Sequence, residues 1–197
     1  MKTPDPARRS ERARVAVIEA ALSLCQELGF AQLTIESIAE RAGVSKKTIY
    51  RWWPSKGAIL LEAIFDLADT AAKHHDTGDL ARDMSDQLNG LVTILTPQET
   101  SPVAAVIAEA QRDPVLAAGL RDQVVRPNIE RFAERMRSAQ RAGEIPDDAD
   151  LDVAVDLFYG PIYHRFALHL GMPDDDEIRT RVDHVIAGLR SLGTRGA

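Results

Sequence analysis

The side chains best suited to chemistry cluster in one short segment, residues 46–51. Its cationic, hydroxyl-bearing and aromatic members are Lys46, Lys47, Thr48, Tyr50 and Arg51. At helical spacing, ammonium, guanidinium and hydroxyl groups donate hydrogen bonds to phosphate oxygens and to acceptors on base edges. A lysine taken alone is most often a solvated surface charge, so the prediction of nucleic-acid contact rests on the combination.

Two short helices joined by a glycine-containing turn would have to position this segment. Thr34 and Ser45 are candidate N-caps of the two helices, because a hydroxyl there accepts a hydrogen bond from a first-turn backbone N–H. Gly43 is placed to end the first helix. Small or apolar residues are predicted to lie inward and lock the pair together: Ile38, Ala39, Val44, Ile49 and Trp53. This arrangement is a helix-turn-helix, whose second helix enters the major groove.

The whole chain is predicted to be all-α, since no run shows the period-two alternation of strands. A first helix is expected over about residues 10–28. Beyond Pro54, the positions of helix-terminating glycines and prolines predict longer helices near 55–74, 79–95, 100–112, 114–142, 150–170 and 174–192. We therefore expect about nine helices: a three-helix helix-turn-helix domain with a basic N-terminal arm over residues 1–57, and a larger helical bundle over residues 58–197.

Charge is divided unevenly along the chain. The 197 residues carry a formal net charge of −6, yet residues 1–60 hold ten basic and six acidic residues. A basic N-terminal segment followed by an acidic C-terminal part suits a protein whose first 60 residues bind phosphate groups. No stretch reaches the roughly 20 apolar residues of a membrane span, and no signal peptide is expected. The single cysteine, Cys25, fits a reducing environment, so we expect a cytoplasmic location.

Residues 12–60 resemble the DNA-binding domain of the TetR family of bacterial transcriptional regulators. The resemblance is carried by Gly29-Phe30, Leu33-Thr34-Ile35, Ile38-Ala39, Ala42-Gly43-Val44-Ser45, Thr48-Ile49-Tyr50 and Trp53-Pro54-Ser55-Lys56. The chain departs from the family at Trp52-Trp53, where a His-Phe pair is more common; Trp53 can fill the core role of the phenylalanine. The resemblance implies a dimeric repressor that binds a palindromic operator in double-stranded DNA and is released by a small-molecule effector.

The resemblance also implies a role for each matching residue. Lys46, Lys47 and Thr48 would face base edges at the start of the second helix. Tyr50 and Trp52 would lie against the sugar-phosphate backbone. Thr34 and Lys56, at the starts of two other helices, would each bind a phosphate. A basic arm near the minor groove is a further hypothesis, and it would comprise Arg8, Arg9 and Arg12.

The remaining helices, by the same resemblance, would bind the effector and form the homodimer. Candidate residues lining the effector site are Phe65, Leu91, Ile94, Ile107, Gln111, Phe132, Met136, Tyr159 and Tyr163. Two apolar stripes on the last two helices are candidates for the dimer surface: Val182, Val185, Ile186 and Leu189, and Leu151, Val155, Phe158 and Ile162. Gly160-Pro161 is expected to disrupt its helix locally, because proline removes one backbone hydrogen bond.

Two other classes of protein compete with this interpretation. An enzyme would need a catalytic or metal-binding constellation, and we expect none, nor any cofactor. His164 and His169 are five apart and do not share a helix face, His74 and His75 point apart, and Cys25 lies on an apolar stripe. The second alternative is a small-molecule carrier or protein-interaction bundle without operator binding. The basic second helix argues against a carrier, which has no need of it.

Overall fold

The computed structural model describes the backbone of residues 6–71 and 75–192 and the side chains of residues 10–65 and 75–191. Within these residues the chain is helical and has no strand. The α-helices are α1 (Pro6–Leu28), α2 (Ile35–Ala42), α3 (Lys46–Tyr50), α4 (Lys56–Ala71), α5 (Leu80–Leu95), α6 (Pro102–Ala110), α7 (Pro114–Leu120), α8 (Arg126–Arg141), α9 (Leu151–Ala167) and α10 (Asp175–Leu192). A π-helical turn, Arg121–Val125, joins α7 to α8. When α7, the π-helical turn and α8 are counted as one continuous segment, the described residues form nine helical segments. The predicted all-α fold is confirmed.

Local capping signals fix both helices of the helix-turn-helix. Thr34 Oγ1 accepts a hydrogen bond from the backbone N–H of Ser37 at 3.0 Å, and Ser37 Oγ accepts one from the N–H of Thr34 at 3.1 Å. This reciprocal pair is a capping box. Gly43 ends α2 in the left-handed conformation, with φ +65°. Ser45 Oγ accepts from the N–H of Thr48 at 3.2 Å, so the predicted caps are confirmed.

The chain forms two compact units, and the first comprises Met1–Ala68 and Leu95–Gln123. In this unit α1 packs on α2, α2 on α3, and α6 on α7. Its fully buried side chains include Val17, Ala21, Leu24, Leu33, Ile38, Ile49, Ile59, Leu60 and Ile64. The helix-turn-helix therefore shares a compact unit with α6 and α7. The division into domains at residues 57 and 58 falls near the start of α4 and stays a prediction.

Two glycines allow close approach between elements of the first unit. Gly29 ends α1 with φ +79°, and a Cβ at this position would lie 2.9 Å from the carbonyl oxygen of Glu99. A Cβ on Gly119 in α7 would lie 2.7 Å from Cδ2 of Leu61 in α4. Both separations are too short for a side chain. The loop before α6 therefore meets the end of α1 directly, and α7 packs closely on α4.

The second unit comprises Asp69–Ile94 and Val124–Ala197. Here α8 packs on α9 and α9 on α10. The ring of Phe132 in α8 meets the rings of Phe158 and Tyr159 edge-on, with centroid distances of 5.9 and 5.7 Å. Such tilted aromatic pairs favour a fixed arrangement of the two helices.

A buried ion cluster also lies in the second unit. Arg135 Nε donates to Asp83 Oδ2 at 2.7 Å, and Arg135 Nη2 lies 3.3 Å from Glu144 Oε2. Asp83 also accepts from the hydroxyl of Thr77 at 2.6 Å, and Glu144 Oε2 accepts from the N–H of Leu80 at 2.7 Å. Arg135 and Asp83 are buried. The cluster therefore provides a hydrogen-bond acceptor for the first N–H of α5 and links α5 to α8.

Five of the eight residues in the stripes predicted to form the dimer surface lie instead in the core of the second unit. Val182, Ile186, Leu189, Phe158 and Ile162 are buried within the single chain, and the other three stripe residues are half-buried. The five buried residues are therefore covered by their own chain and were wrongly assigned to the dimer surface, whereas the assignment of the three half-buried residues stays a prediction. An apolar stripe at helical spacing marks a buried face, and here α9 and α10 bury these faces against their own chain. Dimerisation through the last two helices stays a prediction.

Two further helix boundaries differ from expectation. The segment predicted as one helix over 114–142 contains the π-helical turn just before Pro127, whose ring removes one backbone N–H. Conversely, α9 continues through Gly160 and Pro161, where a local disruption was expected. In the part of the chain that the structure describes, no helix is long and apolar enough to cross a membrane.

Candidate nucleic-acid interface

The recognition helix α3 is held from its inner side by two buried residues. Ile49 is fully buried, and Trp53, one turn later, is 4% exposed. This anchoring leaves the opposite side to solvent, where Lys46, Lys47 and Tyr50 are exposed. Thr48 is half-buried, and its hydroxyl lies 3.0 Å from Ser45 Oγ. The structure thus brings the predicted base-facing residues onto one short exposed surface.

Lys46 is paired on the protein surface. Its ammonium donates to Glu36 Oε1 of α2 at 2.8 Å. This hydrogen bond raises the pKa of Lys46 and lowers that of Glu36. A contact between Lys46 and a base would therefore require Glu36 to give up or share the ammonium. Lys47 and Arg51 have no ionic partner within 4 Å among the described residues, which leaves their charge available to phosphate.

Trp52 stays at the surface, unlike its neighbour. The side chain is 43% exposed, and its ring centroid lies 6.3 Å from that of Trp53. The guanidinium carbon of Arg51 lies 5.5 Å from the Trp52 centroid, within the range of a cation–π contact. A flat ring beside a cation at the end of α3 suits contact with the sugar-phosphate backbone.

Trp53 is bound to α4 by a hydrogen bond that the sequence analysis missed. Its indole Nε1 donates to Glu62 Oε2 at 2.6 Å. Arg14 of α1 forms an ion pair with Glu62 Oε1 and a second one with Glu11. The signal in the sequence is the tryptophan itself, because a buried indole N–H needs an acceptor. This network connects the end of α3 to both α1 and α4.

Lys56 is engaged inside the first unit. Its ammonium donates to the carbonyl oxygens of Phe30 and Leu33, each at 2.8 Å, and lies 4.1 Å from the centroid of the Phe30 ring. Lysine has three N–H donors, so one remains. The predicted phosphate contact of Lys56 stays a prediction, and the observed contacts give Lys56 a second role in fixing the turn between α1 and α2.

Arg41 provides another link that sequence reasoning did not find. Its two terminal nitrogens donate to the two carboxylate oxygens of Glu27, each at 2.9 Å, and Nη1 also reaches Ser23 Oγ at 3.2 Å. These hydrogen bonds lower the pKa of Glu27 and raise that of Arg41. The paired geometry ties α2 to α1 on the exposed side of the domain.

The basic N-terminal segment is placed differently from the expected arm. The backbone of Arg8, Arg9 and Arg12 belongs to α1, which begins at Pro6 rather than near Ser10. Arg12 is exposed, whereas the side chains of Arg8 and Arg9 lie outside the described residues. A minor-groove contact by these arginines stays a prediction.

The residues predicted to line an effector site are divided between the two units. The first unit holds Phe65, Ile107 and Gln111, and the second holds Leu91, Ile94, Phe132, Met136, Tyr159 and Tyr163. Phe132 and Met136 are fully buried, Leu91 is buried, and Phe65, Gln111 and Tyr163 are exposed. The aromatic contact of Phe132 with Tyr159 joins two of the candidates; the role of all nine stays a prediction.

The residues weighed for catalysis are not gathered into one site. Cys25 is buried in α1, where burial raises the pKa of its thiol. His75, His164, His169 and His184 are each exposed; His74 lies outside the described residues. Among the described side chains of residues 10–65 and 75–191, no three from His, Cys, Asp or Glu converge as a metal ion would require.

A capped helix-turn-helix that presents cationic, hydroxyl and aromatic groups from a rigid support defines a DNA-binding transcriptional regulator. Residues 17–63 match the family model described as bacterial regulatory proteins, tetR family, and residues 74–185 match the tetracyclin repressor-like C-terminal domain. The chain belongs to the TetR family of transcriptional regulators.

Relatives along nearly the whole chain agree with this assignment. The HTH-type transcriptional regulator YdeS of Bacillus subtilis is 31% identical over 93% of this chain and 92% of its own length. The DNA-binding transcriptional repressor TetR of Mycobacteroides abscessus is 29% identical over 95% and 98%. The crystal structure of the TetR family regulator SCO0332 superposes with a TM-score of 0.74 at 34% identity, covering 89% of this chain and 97% of that one.

Proposed function

We propose that the protein is a repressor that binds a palindromic operator as a homodimer, with α3 of each copy in the major groove. The observation that carries the proposal is the orientation of α3, in which Ile49 and Trp53 are buried and Lys47 and Tyr50 are exposed. A helix of five residues contacts few bases, so two-fold pairing on a palindrome would double the interface. Operator binding places the action of the protein where the chromosome lies, in the cytoplasm.

We assign direct base contact to Lys47 and Thr48, and to Lys46 once it is released from Glu36. Tyr50 and Trp52 would lie on the sugar-phosphate backbone. Thr34 caps α2, whose free first-turn N–H groups favour a phosphate. Lys56 would offer its one remaining N–H to a phosphate. Contacts to phosphate supply affinity and register, and the α3 contacts to base edges supply sequence preference.

A second copy of the chain would cover the outward side of α9. Val153 and Leu157 lie one turn apart on this helix, and both are exposed. Leu168 and Leu170, just beyond its end, are exposed as well. Exposed apolar side chains that lie one turn apart on a helix, as Val153 and Leu157 do, suit a protein–protein interface. In this proposal, the exposed residues of α9 and of the segment after it take the role first given to the buried stripe residues, and α10 packs beside α9.

Release of the repressor would follow from a shift between two conformations. An effector that binds one conformation of the helical bundle more tightly increases the population of that conformation. If the two copies of α3 are then spaced wrongly for successive grooves, operator affinity falls. The carrier alternative predicts ligand binding with no sequence-dependent DNA affinity.

Selection of bound sequences from random double-stranded DNA, followed by fluorescence anisotropy on the selected site, tests the proposal. Wild type should recover a palindrome. Lys47→Ala should weaken binding by about 1–3 kcal/mol if Lys47 contacts a base, and Tyr50→Phe should weaken it less. Arg82→Ala, which removes the same charge from an exposed position of α5 in the second unit, should bind as wild type does. Absence of any enriched sequence at low salt would exclude operator binding and favour the carrier.

A further inference from the structure

One of the two lysines at the start of α3 is paired within the protein, and the other is not. Lys46 Nζ donates to Glu36 Oε1 at 2.8 Å, whereas Lys47 has no ionic partner within 4 Å among the described residues. Both lysines are exposed. The two ammonium groups therefore start from different states when α3 approaches DNA, although they are adjacent in sequence and carry the same charge.

Glu36 is well placed to keep its negative charge. It lies in the first turn of α2, where the free backbone N–H groups stabilise an anion. The Glu36 side chain is 65% exposed and that of Lys46 is 55% exposed, so the pair forms on the surface. An exposed ion pair of this kind adds little to the stability of a fold. Its effect is therefore expected in binding rather than in folding.

DNA and Glu36 compete for the same ammonium group. Phosphate oxygens and the acceptors on base edges accept hydrogen bonds from lysine, as a carboxylate does. Each copy of the chain has to break the ion pair before Lys46 can turn to the DNA, and the free energy of the pair is then subtracted from that of binding. The pair thus opposes binding at every site where Lys46 contacts DNA.

We propose that Glu36 is an intramolecular competitor of DNA for Lys46 and that it holds the operator affinity below the value that the basic groups of α3 would otherwise give. The inference rests on the proposed operator-binding function and adds to it a residue that limits that binding. Glu36 needs no contact with DNA for this role, because it acts through Lys46. Direct repulsion between Glu36 and phosphate is the competing explanation that an experiment has to separate.

Glu36→Gln removes the charge at nearly constant size, and fluorescence anisotropy of the full-length protein on the selected operator measures the result. An exposed ion pair changes an equilibrium constant by up to about fivefold, and a dimer contains two such pairs. Glu36→Gln should therefore bind the operator about three- to twentyfold more tightly than wild type at low salt. Glu40→Gln, the same change one turn later at an exposed position of α2, should bind within about twofold of wild type.

The same substitution in a Lys46→Met background shows whether the effect passes through Lys46. This background has no ammonium group to release, so Glu36→Gln should change its operator affinity by less than about twofold. Conversely, Lys46→Met should weaken operator binding more in the Glu36→Gln background than in wild type, because the freed ammonium contributes to binding without the cost of the pair. This double-mutant cycle separates competition for Lys46 from direct repulsion, which does not require the lysine.

Far-UV circular dichroism before titration shows which variants are folded, and Glu36→Ala, which also removes the acceptor, serves if Glu36→Gln is not. Unchanged or weaker operator binding by the folded variant would overturn the proposal, since weaker binding would mean that Glu36 positions Lys46 for the DNA. A gain that persists in the Lys46→Met background, or an equal gain from Glu40→Gln, would overturn it in favour of direct repulsion. Each of these results leaves operator binding by wild type intact, whereas absence of any enriched sequence would reject both proposals.

Discussion

The hydrogen bond between Trp53 and Glu62 predicts a large difference between two adjacent tryptophans. Trp53→Phe keeps an aromatic ring in the core but removes the indole N–H that Glu62 Oε2 accepts at 2.6 Å. A hydrogen bond to a charged group contributes about 1.5–3 kcal/mol, and the smaller ring leaves a cavity that adds about 1 kcal/mol. We therefore expect Trp53→Phe to lower the free energy of unfolding by about 2–4 kcal/mol.

Trp52→Phe is the matched control, because it makes the same chemical change one residue earlier. Trp52 is at the surface, and its contact with Arg51 is one that a phenylalanine ring also makes. Surface substitutions of this kind change stability by about 0.5 kcal/mol or less. Urea unfolding followed by far-UV circular dichroism, at one fixed protein concentration, compares the two variants with wild type.

A double-mutant cycle with Glu62→Gln isolates the interaction between the two side chains. We expect a coupling free energy of about 1–2 kcal/mol between Trp53→Phe and Glu62→Gln, because both changes weaken the same hydrogen bond. Equal destabilisation by Trp52→Phe and Trp53→Phe, or a coupling near zero, would refute the reasoning. In that case Trp53 would act through packing alone.

Three further predictions concern other contacts. Lys56→Met should lower the midpoint of thermal unfolding far more than Lys47→Ala, because it removes the hydrogen bonds from the ammonium to the carbonyl oxygens of Phe30 and Leu33. The Phe30 oxygen would keep only its bond from the N–H of Leu33. Similar midpoints would show that the bonds from Lys56 contribute little. Burial opposes ionisation of Asp83, but hydrogen bonds from Thr77 and Arg135 outweigh it and lower the pKa of the carboxyl group. The stability that this group contributes above about pH 4 should therefore be lost as the pH falls further. Asp83→Asn should flatten this pH dependence when the free energy of unfolding is measured in acid titrations. Leu157→Arg should give monomers in sedimentation, because Leu157 is 45% exposed on the proposed dimer surface of α9. Val115→Arg is the control: this position is 77% exposed on α7, and the variant should stay dimeric. If both variants are dimers, the interface lies elsewhere.

Local signals account for the parts of the structure that the sequence predicts well. Thr34, Ser45 and Gly43 act within one turn of their own positions, so a capped pair of helices follows from residue type and spacing. Inward positions such as Ile49 follow from the helical period for the same reason. These capping and periodicity signals are local, which explains why the helix-turn-helix and the exposure of Lys46, Lys47 and Tyr50 are predicted correctly.

Contacts between distant residues are the ones that the sequence does not reveal. Glu62 lies nine residues after Trp53 in sequence, and Phe30 lies 26 residues before Lys56. Neither spacing is a helical repeat, so only the folded chain brings these groups together. Five of the eight residues in the dimer stripes were misassigned for a related reason. A period of 3.6 residues identifies a face that is buried, but it does not say whether the chain itself or a second copy covers that face.

The links that hold α3 all lie within the first unit. Trp53 is bound through Glu62 on α4 and Arg14 on α1, and Lys56 fixes the turn that precedes α2. Since several independent contacts support it, α3 is preformed, and its own unfolding is a costly route to release from DNA. We therefore expect an effector to change the spacing of the two helix-turn-helix motifs in the dimer while each motif stays folded. On this reasoning, a saturating effector would lower operator affinity while leaving the amide hydrogen exchange of Ile49 and Trp53 unchanged.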